Sequence, residues 1–424
     1  MVGIKSRHLK RFLPPAVHYP VFRSPLLTGL ILIITLMTPG LLTTGCIYPL
    51  RDLLEARSEA INEILSHKAV YVARSHTGDE LGSRSKPFRS IDPALELASE
   101  LISRGSAKKL EIRAAAGTYR PDSTIRLTPG TSLRGGYSYP LWDQDPTAYE
   151  TRISGIHDPV IDFAAECGRD TAVRDLVIEA SARNELCAVE CTGAGPVLRG
   201  ITIDLRPVWN TSIGLLLSSD TALIDSNRIF AGSVTDNSWA IACIASRAEV
   251  RNNVLAAESG SGTAILLHAT QNSDLEVLNN TFYLNSSGDT ALFVSSSTLR
   301  FENNILAGAV NCRGIYESTA GSPSFSSLRN NEFNQTGSPL LRAADSSEKT
   351  SIAELESYID DPPDAEASGN DAGTNPGFIN PYADDFHISI NPLSGLDLSA
   401  EFRYDADEIL RTAPWSIGAY EYDP

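Results

Sequence analysis

The 424-residue chain reads as an all-β solenoid, and two observations predict it: an apolar spacing that recurs at a regular interval along the chain and a column of asparagines in phase with it. The spacing is an apolar residue, four intervening residues and a second apolar residue. It occurs at Val173/Ile178, Leu198/Ile203, Ile224/Ile229, Val250/Leu255, Val277/Phe282, Phe301/Leu306 and Leu328/Phe333. Successive second members are separated by roughly 25 residues, the size of one coil of a stacked-repeat protein. A unit this small cannot bury its own apolar face, so successive units must stack.

Each unit also carries an apolar strand upstream, opened by a small residue: Ala188-Val189, Gly214-Leu215, Ala240-Ile241, Ala264-Ile265, Ala291-Leu292 and Gly314-Ile315. The distance from its first apolar residue to the second member of the pair is the same in four coils: Val189 to Ile203, Leu215 to Ile229, Ile241 to Leu255 and Leu292 to Leu306. It is longer from Ile265 to Phe282 and from Ile315 to Phe333. Loop insertions at 270–274 and 318–326 account for the two longer coils. Short Val/Ile/Leu strands broken by Gly, Asn, Asp and Ser favour β structure over a helical repeat, which needs apolar runs at helical spacing. Asn227, Asn253, Asn280, Asn304 and Asn331 share one position in five successive coils. There an amide tolerates a left-handed turn and hydrogen-bonds to its equivalent one coil away, so the column is expected to be a structural ladder.

On these repeats the chain resembles a right-handed parallel β-helix of the pectin-lyase-like superfamily. The segment Tyr71-Val72, Gly78-Asp79, Gly82-Ser83, Pro87-Phe88, Ser90-Ile91 and Ala94-Leu95 resembles the opening of bacterial surface β-helix proteins of unknown function. Gly117-Thr118-Tyr119 and Gly135-Gly136-Tyr137-Ser138 continue that pattern. Asn375-Pro376-Gly377-Phe378, Asp385-Phe386-His387 and Ile417-Gly418-Ala419-Tyr420-Glu421 are similar to the C-terminal block of the same proteins. Asn391-Pro392-Leu393-Ser394 departs from that block, which usually reads closer to Ser-Pro-Ala-Ile-Asp.

From the N-terminus, residues 1–45 hold Lys5, Arg7, Lys10, Arg11 and Arg23 and no acid, then an apolar stretch from Leu26 to Leu42 and Thr43-Thr44-Gly45-Cys46. A basic start, a short apolar core and small residues form an export signal. Small residues and Gly before Cys resemble a bacterial lipobox, with Thr43 where Leu is usual, and imply lipid attachment at Cys46. The alternative is an uncleaved anchor over Leu26 to Leu42, which is near the lower length limit for a span and is broken by Pro39-Gly40. The expected location is the bacterial cell envelope, held to the outer membrane through the lipid on Cys46.

Residues 46–68 are expected to be a spacer helix, with Leu53, Leu54, Ile61, Ile64 and Leu65 available for one face. The parallel β-helix is expected over 69–340. Ser90 followed by Pro93 and by the apolar set Ile91, Leu95, Ala98, Leu101 and Ile102, ending at Gly105, predicts a helix that caps its open N-terminal end. Residues 341–424 are expected to form a C-terminal cap segment. Within it Ser351-Ile352-Ala353-Glu354 is a capping box, predicting a helix to about Ile359 before Asp360-Asp361-Pro362-Pro363 ends it, and 361–375 reads as a solvated loop.

Charge excludes some partners. The net charge is −17, and loss of residues 1–45 with their five cations leaves −22. Such a chain is repelled by phosphate backbones and anionic headgroups, so no nucleic-acid partner is expected. Without a basic groove, and unless divalent cations bridge the two, polyuronates are repelled as well, which disfavours an anionic-glycan lyase. Beyond Cys46 there are Cys167, Cys187, Cys191, Cys243 and Cys312. Cys191 and Cys243 fall two coils apart with Leu217 between, which puts them roughly 10 Å from each other, too far to bridge. Cys167 with Cys187 or Cys191 remains a candidate pair. No metal-ligand spacing is present, and no cofactor or metal is expected.

Polysaccharide-cleaving β-helices need an acid and a base, or a calcium-binding acidic cluster beside a basic residue, on one outer face. The coils offer Asp204, Asp220 and Asp225, with Asp225 in a turn slot read as solvated. His268 is read as a lone strand-end residue. No catalytic residue is assigned. If Ile241 and Cys243 point inward, the position between them points outward, and across coils it reads Glu190, Leu216, Ala242, Leu266, Phe293 and Tyr316. Either this stripe is an exposed surface where Phe293 and Tyr316 stack on sugar rings or on a partner protein, or the residues from about 340 to the end fold across it. The sequence points to a non-catalytic binding or adhesion module, with glycan as the candidate ligand. The alternative is a polysaccharide lyase or glycoside hydrolase whose residues come from loops.

Overall fold

Val173, Leu198, Ile224, Val250, Val277, Phe301 and Leu328 stack in register as one column of paired strands. Ile178, Ile203, Ile229, Leu255, Phe282, Leu306 and Phe333 form a second such column. All fourteen are buried, so the repeat seen in the sequence is the core of the fold. The chain winds as a right-handed parallel β-helix, each coil donating one strand to each of three sheets.

The computed structural model describes residues 47–422 apart from 156, 181–184, 207, 209, 233–236, 258–262, 309–310, 320–323, 336–338, 361–364 and 391–393. The signal segment and Cys46 lie outside the described residues. Residues 59–424 form one unit and residues 1–58 another. Among the described residues, sheet A has eleven strands, from Ala69–Val72 to Glu366–Ser368. Sheet B has ten, from Gly117–Tyr119 to Asp371–Ala372, and sheet C ten, from Ile125–Leu127 to Glu348–Lys349.

Helix α1 spans Ile47–His67, and its Ile64 is buried in the main core. Helix α2, Ile91–Ser103, buries Ile91, Ala94, Leu95, Ala98 and Leu101 at the start of the solenoid. Helix α3, Ile352–Ile359, carries the complete capping box of Ser351 and Glu354 and buries Leu355 and Ile359 near the far end.

The asparagine ladder is longer than the five residues expected. Each Nδ2 donates to the Oδ1 of the next coil, from Asn227 through Asn253, Asn280, Asn304 and Asn331 to Asn370, at 2.9–3.1 Å. It ends on Glu356 of α3, 3.0 Å from the Asn370 amide. The left-handed residue is not the ladder asparagine but the one before it: Asp175, Gly200, Ser226, Asn252, Asn279, Asn303 and Asn330, with φ between 51° and 63°. This division has a reason. A ladder amide must point inward along the stack, while the chain reversal between sheets A and B is made one residue earlier by types that tolerate positive φ.

That outer column holds the C-terminal segment. Nδ2 of Asn252, Asn279, Asn303 and Asn330 donates to the carbonyls of Tyr404, Ser416, Leu396 and Ser394 at 2.9–3.1 Å. The segment buries Phe386, Ala419 and Tyr420 on Phe230, Val254 and Ala256, and Ile388 and Ile417 on Ile305 and Ala307. Buried Arg411 stitches it further, donating to Asn252 Oδ1 at 2.9 Å and to the Gly418 carbonyl at 3.0 Å. The described residues of 378–422 therefore lie on sheet B and the corner between sheets A and B, while Leu341–Arg342, Glu366–Ser368 and Asp371–Ala372 add a further rung to sheets C, A and B, so the expected solvated loop over 361–375 instead holds two strands. The expectation that the C-terminal segment folds across the stripe of sheet C is corrected.

Candidate binding face on sheet C

The outward column of sheet C runs Glu190, Leu216, Ala242, His268, Phe293, Tyr316 and Arg342, rung by rung. The sequence reading placed Leu266 where His268 stands. In this coil Ala264-Ile265 imitates the small-apolar pair two residues early, since Ile265 pairs with Trp239 and Leu267 pairs with Ile241. Leu266 is core, and His268 belongs to the face rather than to a strand end. The spacing itself marks the slip: Leu267 to Phe282 nearly equals the regular Ile241 to Leu255, whereas Ile265 to Phe282 overshoots it.

The register builds an aromatic run. His268 and Phe293 have ring centroids 4.7 Å apart, and Phe293 meets Tyr316 edge-on at 5.3 Å. Trp239 lies 6.3 Å from His268. Burial pushes the His268 imidazole down to about 4, so it is neutral at ordinary pH and serves as an aromatic rung. Leu216, Trp239 and Ala242 pack with Ile213, Ile244 and Ile265, while Phe293 and Tyr316 are half-buried. Arg313 and Arg342 place guanidinium carbons 5.9 and 5.7 Å from the Tyr316 ring centre. Alongside runs a column of Thr192, Ser218, Ile244, Thr270 and Ser295, hydroxyl-bearing at four of five rungs. The Ser295 and Thr319 hydroxyls are 2.7 Å apart.

The carboxylates singled out in the sequence are not brought together. Asp204 pairs with Arg206, whose other nitrogen reaches Asp384 at 3.1 Å. Asp225 is buried, not solvated: it takes Arg251 at 3.4 Å and the Asn252 amide at 3.3 Å. Asp220 is buried in the turn from sheet C to sheet A, with Oδ2 unpartnered, and burial pushes it up to about 7. The five cysteines Cys167, Cys187, Cys191, Cys243 and Cys312 are free and buried, so the candidate pairing of Cys167 is corrected. Among the described residues no group of three His, Cys, Asp or Glu is placed to hold a metal ion.

Two groupings escaped the sequence reading. Glu332 and Asp371 face each other on adjacent rungs of sheet B. Glu332 is fully buried with neither carboxylate oxygen hydrogen-bonded, and burial, then the charge of Asp371, pushes it up to about 7. Asn370-Asp371-Ala372 repeats Asn331-Glu332-Phe333, but Ala372 is too small to register as an apolar pair member. The second grouping is His387, 2.6 Å from both Asp385 and Asp407 and stacked on Tyr420 at 4.1 Å. Burial opposes its charge, but hydrogen bonds to Asp407 and Asp385 prevail and hold its pKa above the ordinary range. Both ring nitrogens are occupied, which suits a clamp within the C-terminal segment better than a proton-transfer group.

No protein-family model and no curated protein matches the chain. Two solved structures are similar to it. An Acinetobacter phage tailspike protein aligns at 11% identity over 79% of this chain and 65% of its own, with a TM-score of 0.35, so this chain spans less than two thirds of the tailspike's length. The pectate lyase Pel9A aligns at 11% identity over 84% of this chain and 96% of its own, with a TM-score of 0.30.

Proposed function

We propose that this protein is an exported, lipid-anchored β-helix that binds glycan on the outer face of sheet C without cleaving it. The observation that carries the reading is the run His268, Phe293 and Tyr316, whose rings contact in sequence beside a hydroxyl-bearing column. Aromatic faces stack on sugar C–H surfaces, and the Arg313 and Arg342 guanidiniums beside Tyr316 suit a sugar bearing an acidic substituent. The described residues of 378–422 pack on other sheets, and on this face Phe293 and Tyr316 are half-buried while Leu216, Ala242 and His268 are buried, so a ligand would meet the Phe293 and Tyr316 end of the run. Anchoring through Cys46 and residence in the cell envelope rest on the N-terminal sequence alone. No described helix is long and apolar enough to cross a membrane.

The enzyme alternative, a polysaccharide lyase or glycoside hydrolase, draws on Glu332 and Asp371, two carboxylates on adjacent rungs of which one is shifted toward neutrality. Complete burial of Glu332 withholds it from substrate. The deciding experiment incubates the purified protein with a panel of glycans and measures retention and cleavage together. Retention without new reducing ends or unsaturated products supports the binding reading. Cleavage lost in Glu332→Gln moves the assignment to the enzyme.

A further inference from the structure

A hollow of about 300 Å³ lies where the C-terminal segment leaves sheet B. Its floor is three successive rungs, Tyr283, Ala307 and Asn334, and the small middle rung makes the space. Asn285, Asn375, Phe378 and Tyr382 line the rest. Tyr283 and Phe378 are fixed by edge contacts with each other at 6.2 Å and with Phe386 at 5.3 and 5.6 Å. Tyr382, in contrast, is 79% exposed.

The chemistry of the lining is selective. None of its residues is charged, in a chain of net charge −17. A cation finds no carboxylate there, and an anion finds no base. An apolar ligand would strip water from three amides without replacing their hydrogen bonds, at a cost of about 1–3 kcal/mol for each group. The Asn334 Nδ2 already donates to the Thr374 carbonyl, and the Asn375 Oδ1 accepts from Gly377 N–H at 2.9 Å. What those two side chains offer is therefore an acceptor and a donor, with Asn285 supplying both kinds. Amide donors and acceptors beside aromatic faces are the complement of vicinal hydroxyls on a ring with apolar C–H faces. A volume at the lower end of small-ligand sites limits the occupant to about one such ring.

We infer that this hollow is a second binding site, for a single neutral pyranose, separate from the face on sheet C. Saturation-transfer NMR on the purified full-length protein with glucose, galactose, mannose and N-acetylglucosamine tests it, together with Tyr382→Ala, Asn285→Ala and, as a control on the other face, Tyr316→Ala. Tyr382 and Asn285 are exposed, so their removal leaves the core intact. The expected result is transfer to at least one sugar, weakened about tenfold by each of the two hollow variants. Absence of transfer to all four sugars overturns the inference. So does transfer that survives both hollow variants, and transfer lost only with Tyr316→Ala would assign the sugar to sheet C instead.

Discussion

The imidazole of His268 lies against the ring of Phe293, centroids 4.7 Å apart and planes inclined by 44°, on adjacent rungs of sheet C. An ionised imidazole would be costly in this position, and burial indeed keeps it neutral down to about pH 4. The contact thus extends the Phe293–Tyr316 pair by one aromatic rung. Glycan retention is accordingly expected to be flat from pH 5.5 to 8 and to fall about tenfold in Phe293→Ala or Tyr316→Ala. A titration of binding centred near the ordinary histidine value would show that His268 is charged and the run misread.

Leu255→Ala is expected to destabilise by about 2–5 kcal/mol, since Leu255 is fully buried between Ile229 and Phe282. Arg251 faces outward but is not a free surface residue. It pairs with buried Asp225 at 3.4 Å and covers Phe402 at 5.1 Å, so Arg251→Ala is expected to cost about 1–3 kcal/mol. Chemical denaturation of the two variants checks both values, and a neutral Arg251→Ala would mean that Asp225 finds its counter-charge elsewhere.

Glu332 gives a pH dependence with a definite sign. Its folded value, about 7, stands above the ordinary 4.5, so the folded state holds a proton that the unfolded chain releases. The penalty is absent below about pH 4.5, grows as pH rises toward 7 and is complete above it, amounting to about 3 kcal/mol. Glu332→Gln should therefore stabilise the protein at pH 8 and leave it unchanged at pH 4.5. Equal effects at the two values, measured by urea unfolding, would place the buried charge elsewhere.

Lipid anchoring predicts that Cys46→Ala releases or mislocalises the protein, because the multiple acyl chains of a bacterial lipoprotein hold firmly where a single chain holds marginally. Fractionation with mass spectrometry of the mature N-terminus reads this directly. Unchanged membrane retention with residues 1–45 still attached would replace the lipid by an uncleaved anchor.

The sequence by itself determined the solenoid, its sheet A and sheet B core columns, the asparagine ladder and the helices at Ile91 and Ile352. Each is written at short range: a coil contacts only its immediate neighbours along the chain, so core and ladder positions recur with the same period. The register of the strand holding His268 was legible too, but only from spacing, because Ala264-Ile265 offered a second match to the same small-apolar pattern. Tertiary structure alone decided where residues beyond 340 lie, and hence that the outer face of sheet B is covered by them. Asn303 meets Leu396 across 93 residues and Asn252 meets Tyr404 across 152, and such contacts have no period to read. Glu332 and Asp371 came together for the same reason, in a last coil whose Ala372 is too small to announce it. The covering of Asp225 and Arg251 followed from the C-terminal segment that lies over them, a consequence of side-chain amides and apolar patches finding each other in three dimensions rather than of any local pattern.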